Sequence, residues 1–95
     1  MEGTVGIEYN QKNGYFYVDV AGKTEARMTF VFTGTDAFTI NHTEVNAGIN
    51  RKGFGQKMVE KAVAFARDEG FKIIPLCPFV KNVFDKTPAF KDVLK

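Results

Sequence analysis

One passage limits the folds open to this chain more than any other. It is a strand-like run from Ala37 to Val45, a glycine-containing link, an amphipathic helix from Gln56 to Glu69, and the apolar run Phe71-Lys72-Ile73-Ile74-Pro75-Leu76-Cys77. So short a crossover with a helix inside it obliges the two strands to run parallel with a right-handed connection. In the helix Met58, Val59, Ala62, Val63, Phe65 and Ala66 form the apolar stripe, and Lys57, Glu60, Lys61, Arg67 and Asp68 face water. Gly70 is a natural stop. The run after it has the pattern of a strand buried on both faces, expected in a sheet interior.

The front of the chain reads as strands. Val5 to Tyr9 is closed by Asn10-Gln11-Lys12-Asn13-Gly14, whose Asn-Gly is a hairpin signal. Tyr15 to Val20 puts Phe16, Val18 and Val20 on one face and Tyr15, Tyr17 and Asp19 on the other. After a turn at Ala21-Gly22-Lys23, Thr24 to Phe32 alternates Ala26, Met28, Phe30 and Phe32 against Glu25, Arg27, Thr29 and Val31. That is the pattern of an antiparallel sheet with one buried face. Thr33-Gly34-Thr35-Asp36 turns into the fourth strand, Ala37 to Val45. Two short helices finish the chain. Pro78 opens the first, with Phe79, Val80, Val83 and Phe84 on one side, and Thr87-Pro88 opens the second, with Thr87 as its cap, before Ala89 to Leu94. The fold class is therefore α+β, in one domain over residues 1–95.

Size and composition agree with that. Ninety-five residues, 44% hydrophobic and 25% charged, make one soluble core and too little for two. A net charge of +2 does not by itself call for a nucleic-acid partner. The aromatics Tyr15, Phe16, Tyr17, Phe30 and Phe32 raise an RNA-binding sheet as another class. Against it, Phe16, Phe30 and Phe32 alternate as core residues, and Tyr15 and Tyr17 have no interleaved basic patch, so no nucleic-acid partner is expected. One cysteine fits a reducing cytosol. No apolar stretch reaches the ~20 residues of a membrane helix and no leader is evident, so the expectation is a cytoplasmic, monomeric protein without a membrane or metal partner.

Between strand and helix lies Asn50-Arg51-Lys52-Gly53-Phe54-Gly55-Gln56. Its glycines let a ligand reach the backbone, and the first amides of the helix have no partner within it. With the positive end of the helix dipole behind those amides and Arg51 and Lys52 beside them, the stretch suits a phosphate or pyrophosphate. It is not a nucleotide P-loop, because Phe54 and Gly55 follow Gly53 where Lys and Ser or Thr are needed. Nor is it a dinucleotide fingerprint, since Met58 stands where the third glycine belongs. A surface turn shaped by glycine is the other reading.

Two side chains further on can carry chemistry. His42 shares its predicted strand face with Phe38 and Ile40, where partial burial would keep it a neutral base near pH 7. Cys77 ends the last strand just before a helix N-terminus, a position that favours the thiolate. The competing readings are a core histidine with one hydrogen bond and an inert buried cysteine.

Three blocks in order, His42-Thr43-Glu44-Val45, Gly53-Phe54-Gly55-Gln56-Lys57-Met58-Val59 and Pro75-Leu76-Cys77-Pro78-Phe79-Val80, resemble a small stand-alone subfamily of the GNAT N-acetyltransferase superfamily. The resemblance covers essentially the whole chain. It implies a GNAT-like fold, with a four-stranded antiparallel meander, a helix, a parallel fifth strand and short C-terminal helices. It also implies acetyl-CoA as co-substrate, its pyrophosphate on the amides of the Arg51 to Gln56 stretch and its pantetheine between Val45 and the strand ending at Cys77, near Phe79. Asn50 stands where the superfamily has Gln or Arg, which shifts weight onto the backbone amides. The tyrosine that many relatives use to protonate the departing thiolate has no counterpart, because the corresponding segment offers Phe79 and Phe84. The front of the chain is shorter than in larger relatives, so the acceptor pocket is expected to be reduced. Acetyl transfer to an unidentified amine follows, with His42 taking a proton from Cys77 or from the amine, and Cys77 either an acetyl carrier or a lining residue. A module that binds acetyl-CoA without transferring anything is the alternative.

Overall fold

A computed structural model describes residues 3–46 and 53–95. Five strands form one sheet in the order of the sequence, β1 (Thr4–Tyr9), β2 (Asn13–Val20), β3 (Lys23–Thr33), β4 (Ala37–Val45) and β5 (Lys72–Pro75). The first four are an antiparallel meander, and β5 lies parallel to β4, pairing Ala37 with Lys72 through Ile40 with Pro75. Helix α1 (Phe54–Glu69) makes the crossover, α2 (Pro78–Lys86) follows β5, and a 3-10 helix spans Pro88–Val93. Helix α1 lies against all five strands.

The alternation in β2 and β3 has the consequence expected of it. Phe16, Val18, Met28 and Phe30 are fully buried, facing Met58, Val59, Ala62, Val63 and Ala66 of α1. The rings of Phe16, Phe30 and Phe38 touch one another, with centroids 5.0 Å apart for Phe16–Phe30 and Phe30–Phe38. On the other face Tyr15, Tyr17, Arg27, Thr29 and Glu44 are exposed or half-buried, with the Arg27 guanidinium 4.5 Å from the centre of the Tyr15 ring.

Several local expectations are corrected. Asn13 and Gly14 are not the first turn but the start of β2, with Gly14 paired to Tyr9. The turn is made by Asn10, whose Oδ1 accepts the amides of Lys12 at 2.7 Å and Asn13 at 2.9 Å, so a side chain supplies the turn geometry. Helix α1 begins at Phe54, two residues ahead of the predicted start. Thr87 makes no side-chain cap, and the segment after it is a 3-10 helix.

The largest correction concerns β5, which is an edge strand and not part of a sheet interior. Ile73 is buried, Ile74 and Pro75 are half-buried, Lys72 is exposed and Leu76 is 65% exposed. The apolar run is long because the end of the chain covers its outer side. Leu94 bridges to Ile73, and the Lys95 amide donates to the Ile73 carbonyl at 3.0 Å.

Candidate functional site

The site is built from a defect in β4. Register between β3 and β4 slips between Thr29 and Phe30, so that Phe30 faces Ile40 and Thr29 faces His42, leaving Asn41 without a partner of its own. A bulge of this kind reverses the faces of every residue after it. Phe38 and Ile40 point into the core before it. Beyond it Thr43 and Val45, opposite the buried Met28 and Ala26, take the core side, and His42 and Glu44 turn outward.

His42 is therefore not partly buried alongside Phe38 and Ile40, as the alternation predicts. Its side chain is 63% exposed, and its Nε2 lies 3.1 Å from Glu44 Oε1 on the open face. The structure does not bring it to Cys77. The partner of that thiol is Thr43, whose Oγ1 lies 3.3 Å from Cys77 Sγ and accepts its S–H. Thr43 is the site residue that reading by alternation misses. Its spacing of two from Val45 is the signal that would have found it, had the bulge been visible.

Past Ile40, β4 loses its neighbour. The amides of Leu76 and Cys77 both donate to the Ile40 carbonyl, at 3.0 and 3.2 Å, and the chain then turns away into α2. The Asn46 amide bonds the Glu25 carbonyl of β3 at 2.9 Å, so by strand alternation the amides and carbonyls of Thr43 and Val45 point the other way, into the gap that β5 has left. A splayed pair of parallel strands results, and among the described residues β5 pairs no residue of β4 beyond Ile40.

Across that gap stands the head of α1. The first backbone bond of the helix is from Lys57 to the Gly53 carbonyl, 3.0 Å, so the amides of Phe54, Gly55 and Gln56 have no acceptor within the helix. Among the described residues no side chain caps them. Gly53 has a left-handed backbone, φ 74° and ψ 22°, which favours glycine, and among the described residues nothing lies within 4 Å of where a Cβ would stand. Gly55 differs, for a Cβ on it would stand 2.6 Å from the tip of the Phe79 ring. Phe54 is only 2% exposed and belongs to the core. Gln56 is half-buried and reaches toward Glu60, 3.4 Å away.

These parts enclose a cleft of about 350 Å³ lined by Thr43, Val45, Gly53, Gly55, Gln56 and Phe79. Five of the residues predicted to hold a cofactor thus meet in one place. Arg51 and Lys52 lie outside the described residues. Phe79, 41% exposed, leaves the apolar side of α2 that Val80, Val83 and Phe84 bury and forms a wall of the cleft.

Cys77 is one hydrogen bond from that wall and is the residue before the first turn of α2. Burial pushes its thiol up, and the Thr43 hydroxyl together with the amides of Val80, Phe79 and Thr43 more than offsets this, leaving it below the usual thiol value. Its surroundings thus make the thiolate easier to form than on an ordinary cysteine. Among the described residues no group of three His, Cys, Asp or Glu side chains is placed to hold a metal ion, and no helix is long and apolar enough to cross a membrane.

The family model described as GCN5-related N-acetyl-transferase matches residues 15–93. Among solved structures, a GCN5-like candidate N-acetyltransferase from Staphylococcus aureus is 28% identical, with a TM-score of 0.72 over 95% of this chain and 87% of that one. A ribosomal-protein-alanine N-acetyltransferase from Brucella melitensis biovar Abortus 2308 superposes with a TM-score of 0.70 at 15% identity, covering 81% of this chain and 62% of that one. An aminoglycoside acetyltransferase from an uncultured soil metagenomic sample, solved with sisomicin, gives 0.67 at 16% identity, covering 86% and 59%. The last two share the fold, and the present chain spans less than two thirds of either. No curated protein sequence matches it.

Proposed function

This chain belongs to the GCN5-related N-acetyltransferase family, and we propose that its cleft binds acetyl-CoA and passes the acetyl group to an amine by way of Cys77. Acetyl transfer is the family's activity, and acetyl-CoA is its general donor. One observation carries the assignment to this site: the head of α1, which no described side chain caps, and the edge of β4 beyond Ile40, which β5 no longer pairs, open into the same cleft. Diphosphate oxygens would take the amides of Phe54, Gly55 and Gln56, where helix dipole and free donors coincide. The pantetheine arm would lie along β4 as a strand substitute, pairing with the outward carbonyl of Thr43 and the outward amide and carbonyl of Val45. Phe79 would flank it.

The cysteine route explains the absence of a tyrosine near Phe79 and Phe84. Attack of the Cys77 thiolate on the thioester carbonyl forms one carbon–sulfur bond and breaks another, and CoA departs as a thiolate. Charge is conserved, so that step needs no proton donor. The amine then attacks the acetyl-cysteine, the amide forms, the Cys77 thiolate leaves and the amine's proton goes to solvent. His42 and Glu44, on the opposite face, are available only to an acceptor arriving from that side.

Calorimetric titration with acetyl-CoA and CoA tests binding, with Gly53→Ala as the control that fills the approach to the amides. Micromolar binding in the wild type, weakened at least about tenfold in the variant while its melting transition persists, is the expected result. Equal binding by the two proteins would refute the placement. Intact-mass analysis after exposure to acetyl-CoA tests the carrier, for which an acetyl adduct should appear on wild type and not on Cys77→Ala. No adduct, with turnover intact in Cys77→Ala, would leave direct attack by the amine as the route.

A further inference from the structure

We propose that Thr43 is the positioning residue for Cys77: its hydroxyl holds the sulfur at the wall of the cleft and adapts to both of its protonation states. Two observations meet in this one side chain. Thr43 Oγ1 receives the Cys77 S–H at 3.3 Å, and the same side chain lines the cleft beside Val45. A hydroxyl is donor and acceptor in one, so by rotating it accepts from the thiol and donates to the thiolate, and the sulfur keeps its partner through the reaction. No other residue on β4 can take this place. Asn41 and His42 are exposed, Glu44 points to the open face, and Val45 has no polar atom in its side chain. The bulge at Asn41 is what turns Thr43 inward, so the defect in the strand has a use at the site.

The outward main-chain groups of Thr43 strengthen the case. Its amide faces the gap where β5 departs and contributes to the lowering of the Cys77 thiol, together with the amides of Val80 and Phe79. Once the sulfur is acetylated it can no longer donate, and the hydroxyl becomes free to donate to the new thioester carbonyl. The importance of this for turnover rests on the carrier reading of Cys77 given above. Its effect on the thiol itself does not.

The experiment follows Cys77 alkylation by iodoacetamide as a function of pH in wild type, Thr43→Val and Thr43→Ser, with circular dichroism to confirm folding. Valine keeps the branched shape on a strand and removes only the polar atom, so a folded variant is expected. Thr43→Val should raise the midpoint of the profile and slow alkylation near neutrality by about tenfold, the worth of one charge-assisted hydrogen bond. Thr43→Ser should restore the wild-type midpoint. Superimposable profiles for wild type and Thr43→Val overturn the proposal, and so does a serine variant that behaves like the valine one. Were Thr43→Val to fail to fold, Thr43→Ala against Thr43→Ser would read the same difference. Acetyl adduct formation on the same proteins separates the two claims. A shifted midpoint with no adduct on wild type leaves Thr43 as the thiol's positioning residue and removes the carrier role, whereas an adduct forming equally fast in Thr43→Val removes Thr43 from the reaction.

Discussion

Gly53 and Gly55 look alike in the sequence and do different things. Gly53 is a glycine because its φ is 74°, a left-handed conformation that costs other residues about 1–2 kcal/mol, with nothing among the described residues within 4 Å of where a Cβ would stand. Gly53→Ala should therefore lower the melting temperature by several degrees at most while blocking the approach to the helix head. Gly55 sits within α1, and its missing Cβ makes room for Phe79. In Gly55→Ala the ring must swing, and because it is 41% exposed the only free direction is toward the cleft or solvent. Acetyl-CoA affinity should drop about tenfold, and Gly55→Ala combined with Phe79→Ala should bind better than the two single effects added together. Strict additivity in calorimetry would show that the Phe79 contact is not how Gly55 acts. The need for glycine at both positions was legible. Which of them met a ring from α2, 24 positions further on for Gly55, was not, because nothing local records it.

Among the elements, β4 shows most clearly what periodicity can and cannot reveal. Its existence, its span and its parallel partner follow from an apolar alternation and a short crossover, and all three hold. The assignment of faces beyond Ile40 does not hold, since one unpaired residue, Asn41, inverts it. Thr29 Oγ1 donates to Asn41 Oδ1 at 2.9 Å, which anchors the bulge on the exposed side. Deleting Asn41 should remove the bulge and keep the pairing on either side of it, Ile40 with Phe30 and His42 with Thr29, so that Thr43 and Val45 stay on the core side. The expected change by urea denaturation is small, about 1 kcal/mol, since the deletion removes one exposed side chain and its bond from Thr29. A deletion variant that loses much more than this, with Cys77 no longer protected by Thr43, would mean that the bulge itself is needed to hold the faces of the strand.

At the level of the whole molecule, the chain is closed by its last residues. Arg67 on α1 makes a two-pronged contact with Asp92, at 2.9 Å through Nε and 2.8 Å through Nη2, and the same Nη2 reaches the Ala89 carbonyl at 2.7 Å. Lys72 adds a bond to the Asp92 carbonyl, and Lys95 approaches Asp36 at 3.7 Å. The hydrogen bond from Arg67 holds the Asp92 carboxyl below its usual value, more than burial raises it. A carboxyl whose value is depressed in the folded state stabilises that state above its ordinary range, and the contribution is lost as pH falls through that range to the lowered folded value. Asp92→Asn should accordingly flatten the acid limb of the melting temperature against pH. Both partners are about half exposed, so the effect should shrink in high salt. An acid limb identical to that of wild type at low salt would show that the tie to Asp92 contributes nothing to acid stability.

By itself the sequence determined the meander, the amphipathic helix, the parallel crossover and the family, because each is written in short-range periodicity or in residues a few positions apart. It also marked Val45, Gly53, Gly55, Gln56, Phe79 and Cys77, since glycine, a helix start and a thiol before a proline are local signals. Only the tertiary structure decided that β5 lies at the edge, that His42 faces solvent and that Thr43 holds Cys77. Each of these is a relation between residues far apart in the chain, in strand register, in the cover lent by the C-terminal residues or in the reach of a hydroxyl across two splayed strands. Hydrophobic alternation reports whether a side chain is buried, and it carries no information about which distant group it meets.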